Sequence, residues 1–160
     1  MIKNDLVIFL DFDGVFHHVF PVKSCSNREN ELFYYTENIE SFFSELTTKY
    51  NLKIVFATSW KEKFSFETLK GFFEDYPCIY NACLDCTPNI KSLSDEGYKW
   101  CEAECWIAQN NYTGQYIILD DYREVWKKNG QENPDLIICE DKFDIDEIQK
   151  IRNRLSFFNE

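Results

Sequence analysis

The chain has 160 residues, of which 44% are apolar and 18% aromatic, with a formal net charge of −11 and a pI of about 4.7. This composition excludes a disordered polypeptide, and the length predicts one domain, residues 1–160, with a substantial core. The negative field repels bare nucleic acid and anionic membranes, and no apolar run reaches the roughly 18 residues of a membrane span.

The first residues meet acids at once and carry no cleavage-site pattern, which predicts no secretory signal. Seven cysteines, an odd number spread irregularly, read as reduced thiols of a cytoplasmic protein. In chain order, residues 6–10 (LVIFL) form a continuous apolar run of strand length. Such runs suit strands covered on both faces of a parallel sheet. Residues 14–35 carry Pro, Ser and Asn and read as a loop or small flap. Over 37–50, Ile39, Phe42, Phe43, Leu46 and Tyr50 recur at helical spacing. Residues 52–57 (LKIVFA) predict a second strand, and residues 64–76 a helix with Phe66, Leu69, Phe72 and Phe73 on one face. A short third strand is expected at 78–80, and irregular chain over 83–97, with Thr87-Pro88 as its clearest turn signal. A helix follows over 99–109, then a fourth strand at 116–119 (YIIL), a short helix, and a fifth strand at 135–139 (DLIIC). A last helix covers 144–158, with Asp144 as N-cap and Glu147 at the capping-box position. The alternation predicts an α/β fold: a doubly wound, Rossmann-like parallel sheet of about five strands with helices on both faces.

Acids close two of these strands. Asp11 and Asp13 follow the first, and Asp120 and Asp121 the fourth. Ligands of open parallel sheets bind beyond the carboxyl ends of the strands, so neighbouring strands would bring four carboxylates into one crevice. Two unit charges about 4 Å apart repel by roughly 4 kcal/mol at an effective dielectric of about 20. Several such pairs call for protonation or a cation, and oxygen ligands of this kind suit Mg²⁺. An aspartate at a strand end is also an ordinary turn residue; the D-x-D-G and D-D pair together favours a site.

FLDFDGV at residues 9–15 resembles the first motif of the haloacid dehalogenase (HAD) superfamily. IVFATSW at 54–60 is similar to the second motif, Lys99 with Glu102 and Trp106 to the third, and IILDD at 117–121 to the fourth. With Thr87-Pro88, the set resembles a small bacterial HAD group that includes the HAD domain of "Swiss army knife" RNA-repair proteins and stand-alone copies. The likeness spans nearly the whole chain.

The resemblance implies a Mg²⁺-dependent phosphatase working through an aspartyl-phosphate. It assigns Asp11 as nucleophile and Asp13 as general acid and base. Thr58 would donate to the phosphoryl oxygens, with Ser59 as an alternative, and Lys99 would neutralise nucleophile and phosphate, with Lys91 as an alternative. Asp11, Asp13, Asp120 and Asp121 form the implied metal set, and the ranking of Asp120 against Asp121 stays open. Gly14 would allow a sharp turn that brings backbone N–H groups to the phosphate. The gaps between motifs are too short for a separate cap domain, which needs about 40 residues. A capless member has an open site, and its phosphorylated substrate can be a protein or a nucleic-acid end held by a partner. Two rival readings stand beside this one. A non-catalytic metal- or phospholigand-binding module would keep the acidic crevice, and a receiver-type domain would hold a stable aspartyl-phosphate, which Asp13 argues against.

Three further features fall outside this set. His17 and His18 read either as contacts to a substrate phosphate or as ordinary loop and packing residues. Cys83-x-x-Cys86 and Cys101-x-x-x-Cys105 have spacings zinc can use, although free cysteines are more often packed in cores. Trp60, Trp100, Trp106 and Trp126 suit either core or an exposed stacking surface.

Overall fold

A computed structural model describes residues 2–17, 34–90, 96–140 and 142–156. Five strands make one parallel sheet: β1 (Asn4–Leu10), β2 (Tyr50–Phe56), β3 (Cys83–Cys86), β4 (Gln115–Asp120) and β7 (Leu136–Ile138), in the order β3-β2-β1-β4-β7. A two-stranded antiparallel hairpin, β5 (Lys127–Lys128) and β6 (Gln131–Glu132), stands apart from it. Its turn is Asn129-Gly130, both with positive φ, the residue pair such a turn favours.

The apolar run of β1 has a simple cause. Leu6, Ile8 and Leu10 enter a large core on one face of the sheet, while Val7 and Phe9 enter a smaller core on the other. The large core receives Phe42, Phe43 and Leu46 of α1 (Thr36–Lys49), Leu69 of α2 (Phe66–Gly71), Ile79 of α3 (Pro77–Ala82) and Ile151 of α5 (Ile145–Ser156). The smaller core receives Ala103 and Trp106 of α4 (Tyr98–Gln109) together with Trp126. Helices therefore cover both faces, as the alternation predicts, and burial on both sides removes the polar half of the strand pattern. No separate cap unit is evident among the described residues.

The third strand is not at 78–80. Those residues belong to α3, which starts on Pro77. A proline at the first helical position loses no hydrogen bond. The Glu40 carboxylate of α1 caps the same turn, accepting from Cys78 N at 2.7 Å and Ile79 N at 2.9 Å. The strand follows immediately at Cys83–Cys86, inside the stretch expected to be irregular. The helix expected over 64–76 is also shorter. Ser65 caps α2 by accepting from Thr68 N, and the helix ends at Gly71. Ahead of α5, Glu147 Oε2 accepts from Asp144 N at 2.9 Å, the carboxylate half of the expected capping box.

Candidate active site

The chain leaves β1 toward β2 on one side and β4 toward β7 on the other, so the carboxyl ends of these neighbouring strands form a topological switch point, where open parallel sheets bind ligands. Phe12 explains the D-x-D spacing. Its ring is fully buried in the large core, 5.2 Å from the ring of Phe56 and 5.1 Å from that of Trp60. With Phe12 anchored, its two aspartate neighbours are presented away from that core.

Asp11, just past β1, meets Asp120, the last residue of β4, and Asp121. One carboxylate oxygen from each lies within 4.8 Å of the others. Lys99, in the first turn of α4, places Nζ 3.3 Å from Asp11 Oδ1 and 2.7 Å from Asp120 Oδ2. All but Asp121 are buried.

The two adjacent aspartates differ in their partners. Asp120 Oδ2 accepts from Lys99 and from Trp126 Nε1 at 2.8 Å, and its Oδ1 accepts from Tyr122 N at 3.1 Å. Burial pushes Asp120 up, and the Lys99 ammonium with the hydrogen bonds from Lys99 and Trp126 outweighs it, leaving its pKa below the usual carboxylate value. Among the described residues Asp121 has no comparable set of side-chain donors. Burial and then the charge of Asp120 push it up to about 7. Asp11 is raised well above the ordinary range, first by burial and then by Asp120. Burial pulls Lys99 down, but Asp11 and Asp120 together hold it above its ordinary value. One ammonium thus faces three carboxylates, two of which resist ionisation.

That imbalance suits a bound cation. Hard oxygen donors, clustered and short of positive charge, suit a divalent cation such as Mg²⁺. Gly14 makes room for the arrangement. Its φ is +75°, and a Cβ there would lie 2.5 Å from Cβ and Cγ of Asp121.

Asp13 stands outside the three-carboxylate group. His17 Nε2 lies 2.9 Å from its Oδ1, and Trp60 Nε1 donates to Oδ2 at 3.3 Å. These hydrogen bonds, with His17 the stronger influence, hold Asp13 below the usual range against the effect of burial. Thr58, one residue past the buried Ala57 that follows β2, is buried, and its hydroxyl accepts from Trp60 N at 3.2 Å. Ser59 beside it is exposed. Lys91 and His18 lie outside the described residues.

A second buried ion pair adjoins the site and has no counterpart in the sequence reading. Lys61 Nζ lies 2.6 Å from Glu102 Oε2 and also donates to Thr87 Oγ1 at 2.7 Å and Pro88 O at 3.3 Å. Burial pulls the Lys61 pKa down despite this carboxylate. The pair joins the turn after β2, the end of β3 and the first turns of α4. Thr87-Pro88, a turn signal in the sequence, and Glu102, a motif position, here share one cation. Truncating one member of a buried pair leaves the other charge uncompensated. We expect Lys61→Met to cost about 3 kcal/mol in urea melts, and Lys61→Met with Glu102→Leu to recover most of that loss.

The two cysteine pairs do not converge. Cys83 and Cys86 pack against the large core, on the opposite face of the sheet from α4, which carries Cys101 and Cys105. Burial pushes the Cys83 thiol up to about 12 and that of Cys86 to about 11. Trp106 and Trp126 are core residues, and Trp60 and Trp100 pack against the cores. The four rings make no common exposed face.

A doubly wound parallel sheet with D-x-D-G after its first strand and paired aspartates after the fourth defines an HAD-like fold. The family of the HAD domain in Swiss Army Knife RNA repair proteins matches residues 7–147, and the chain belongs to that family. No curated protein matches the chain. No helix among the described residues is long and apolar enough to cross a membrane.

Proposed function

We propose that the chain is a Mg²⁺-dependent phosphatase that hydrolyses a phosphate monoester through an aspartyl-phosphate on Asp11. The observation that carries this reading is the meeting of Asp11, Asp120 and Asp121 beside the buried Lys99 at the ends of β1 and β4. Asp11 attacks phosphorus. Asp13 gives a proton to the departing ester oxygen and then takes one from the water that hydrolyses the acyl phosphate. Lys99 and the Thr58 hydroxyl balance charge on the phosphoryl oxygens. Asp11, Asp120 and Asp121 would hold Mg²⁺, with Asp120 also fixing Lys99. When bound there, Mg²⁺ supplies further neutralisation of the transferring group.

The substrate is a phosphorylated molecule, and the lack of a separate cap unit among the described residues suits a phosphoprotein or a nucleic-acid end held by a partner. The net charge of −11 disfavours bare polynucleotide. The free thiols suit a cytoplasmic setting.

The test is hydrolysis of nitrophenyl phosphate at neutral pH. Turnover is expected with Mg²⁺, with a loss of at least about 100-fold in chelator that added Mg²⁺ reverses. Mg²⁺ binding without turnover of any phosphate ester would replace this reading with a non-catalytic binding module.

A further inference from the structure

We infer that His17 and Trp60 form a clamp that positions the carboxylate of Asp13 for its proton transfers, which makes both of them positioning residues of the reaction. The inference rests on the proposed role of Asp13 as acid and base. It starts from a buried imidazole. His17 is 2% exposed, although it sits in a segment whose composition reads as a loop. Its Nε2 is 2.9 Å from Asp13 Oδ1. An ionised carboxylate only accepts, so Nε2 carries the hydrogen and donates it. Trp60 Nε1 donates to the other oxygen, Oδ2, at 3.3 Å. Each oxygen of Asp13 is thus held by a different ring, and the carboxylate plane is fixed.

Both rings are themselves held. Gly14 N donates to His17 O at 2.8 Å, closing the turn that begins at Asp13. Tyr35 N donates to Phe16 O at 2.7 Å, which ties the residue before His17 to the start of α1. Phe16 is fully buried in the large core. The Trp60 ring packs on Phe12, and the His17 and Trp60 rings lie 5.6 Å apart. The clamp therefore rests on the same aromatic core that anchors Phe12 between the two aspartates.

The chemistry needs such a hold. In the first step the ionised Asp13 takes the proton of the monoprotonated phosphate ester, the Asp11 oxygen bonds to phosphorus, the P–O bond to the leaving group breaks, and that proton passes from Asp13 to the departing oxygen. In the second, water oxygen bonds to phosphorus, the Asp11–phosphorus link breaks, and Asp13 takes a water proton and releases it with the departing phosphate. Each transfer requires hydrogen-bond reach and alignment. A carboxylate offers about four lone-pair sites, so the clamp occupies two and leaves capacity for the travelling proton. Misplacement by about 1 Å can cost about 100-fold.

Leaving groups provide the test. Dinitrophenolate departs without a proton, whereas phenolate departs with difficulty unless it receives one. The parent, His17→Ala, His17→Gln and Trp60→Phe are assayed with Mg²⁺ on dinitrophenyl, nitrophenyl and phenyl phosphates, with thermal melts alongside. His17→Ala should lose about 100-fold in kcat/KM, which reads only the step in which the leaving group departs, on phenyl phosphate and less than about 3-fold on the dinitrophenyl ester. His17→Gln, which keeps a donor, should recover part of the loss, and Trp60→Phe should show the same dependence on leaving group, more weakly. If His17→Ala does not fold, Trp60→Phe and His17→Gln carry the comparison. A loss in kcat/KM equal on all three esters, or no loss on any, overturns the clamp while parent turnover leaves the phosphatase reading intact. Absence of parent turnover on every ester removes the phosphatase reading and the clamp with it.

Discussion

Asp11→Asn is expected to abolish turnover and to make the metal-free protein more stable. The first effect follows from losing the nucleophile, and single nucleophile deletions cost at least about 10⁴-fold in comparable two-step hydrolases. The second follows from the electrostatics of the parent. Burial and the neighbouring Asp120 hold Asp11 well above the ordinary carboxylate range, so its ionised form is a burden on the empty fold. An amide keeps the shape and an oxygen for Lys99 while removing the charge. A gain of about 1–2 kcal/mol is expected, or about 2–8 °C in Tm, measured in chelator at neutral pH.

The same charges set a pH dependence. The folded pKa of Asp121 is about 7, above the roughly 4 of an unfolded aspartate. A group raised in this way contributes stability that is fully present below its unfolded value and lost as pH rises through the folded one. The metal-free parent should therefore lose Tm between about pH 5 and about pH 8. Mg²⁺ should restore most at the upper end, where the carboxylates are ionised and ready to bind. A flat metal-free profile, or a Tm that rises over this range, would contradict the charge balance described for the site.

The parts of the fold that sequence exposes are those set by local burial. β1 and β4 are covered on both faces, so their apolar runs are unbroken and the aspartates that end them stand out. β3 gives no such signal. It is a four-residue edge strand with Leu84 largely exposed, and its identity comes from pairing with β2. α3 is similarly hidden, because its first turn is capped by Glu40 from α1, a residue 38 positions earlier than Cys78. The site divides in the same way. Asp11, Asp13, Thr58, Lys99, Asp120 and Asp121 are visible as motif positions, and no spacing can say which of two adjacent aspartates pairs with a lysine. That choice depends on Trp126, carried beneath Asp120 by the turn that leads into the β5–β6 hairpin. The Asn129-Gly130 turn signal was present in the chain, but two-residue strands are too short to show a pattern. Lys61 is silent for another reason: in a polar stretch nothing distinguishes a buried lysine from a solvated one.

Lys99→Met should then cause the largest loss of stability at any single position of the site. Lys99 is the only cation within ion-pair distance of Asp11 and Asp120 among the described residues. Its ammonium is raised in spite of burial because both carboxylates favour it. Removing one partner of a buried pair costs about 3–5 kcal/mol, since the other charge stays behind. Here the ionised Asp120 stays behind beside Asp11, and it has no exposed surface through which water could replace the lost cation. The fold can answer only by protonating the acids, so the penalty should grow with pH and shrink in acid. Turnover should fall as well, by about 100-fold or more, because the ammonium balances charge on both the nucleophile and the phosphoryl group. Denaturant melts of parent and variant at about pH 5 and about pH 8, each with and without Mg²⁺, separate these effects. A pH-independent penalty would mean that Lys99 contributes mainly by packing its methylene stem. A penalty that Mg²⁺ cancels without restoring turnover would assign the lysine to phosphate rather than to the carboxylates.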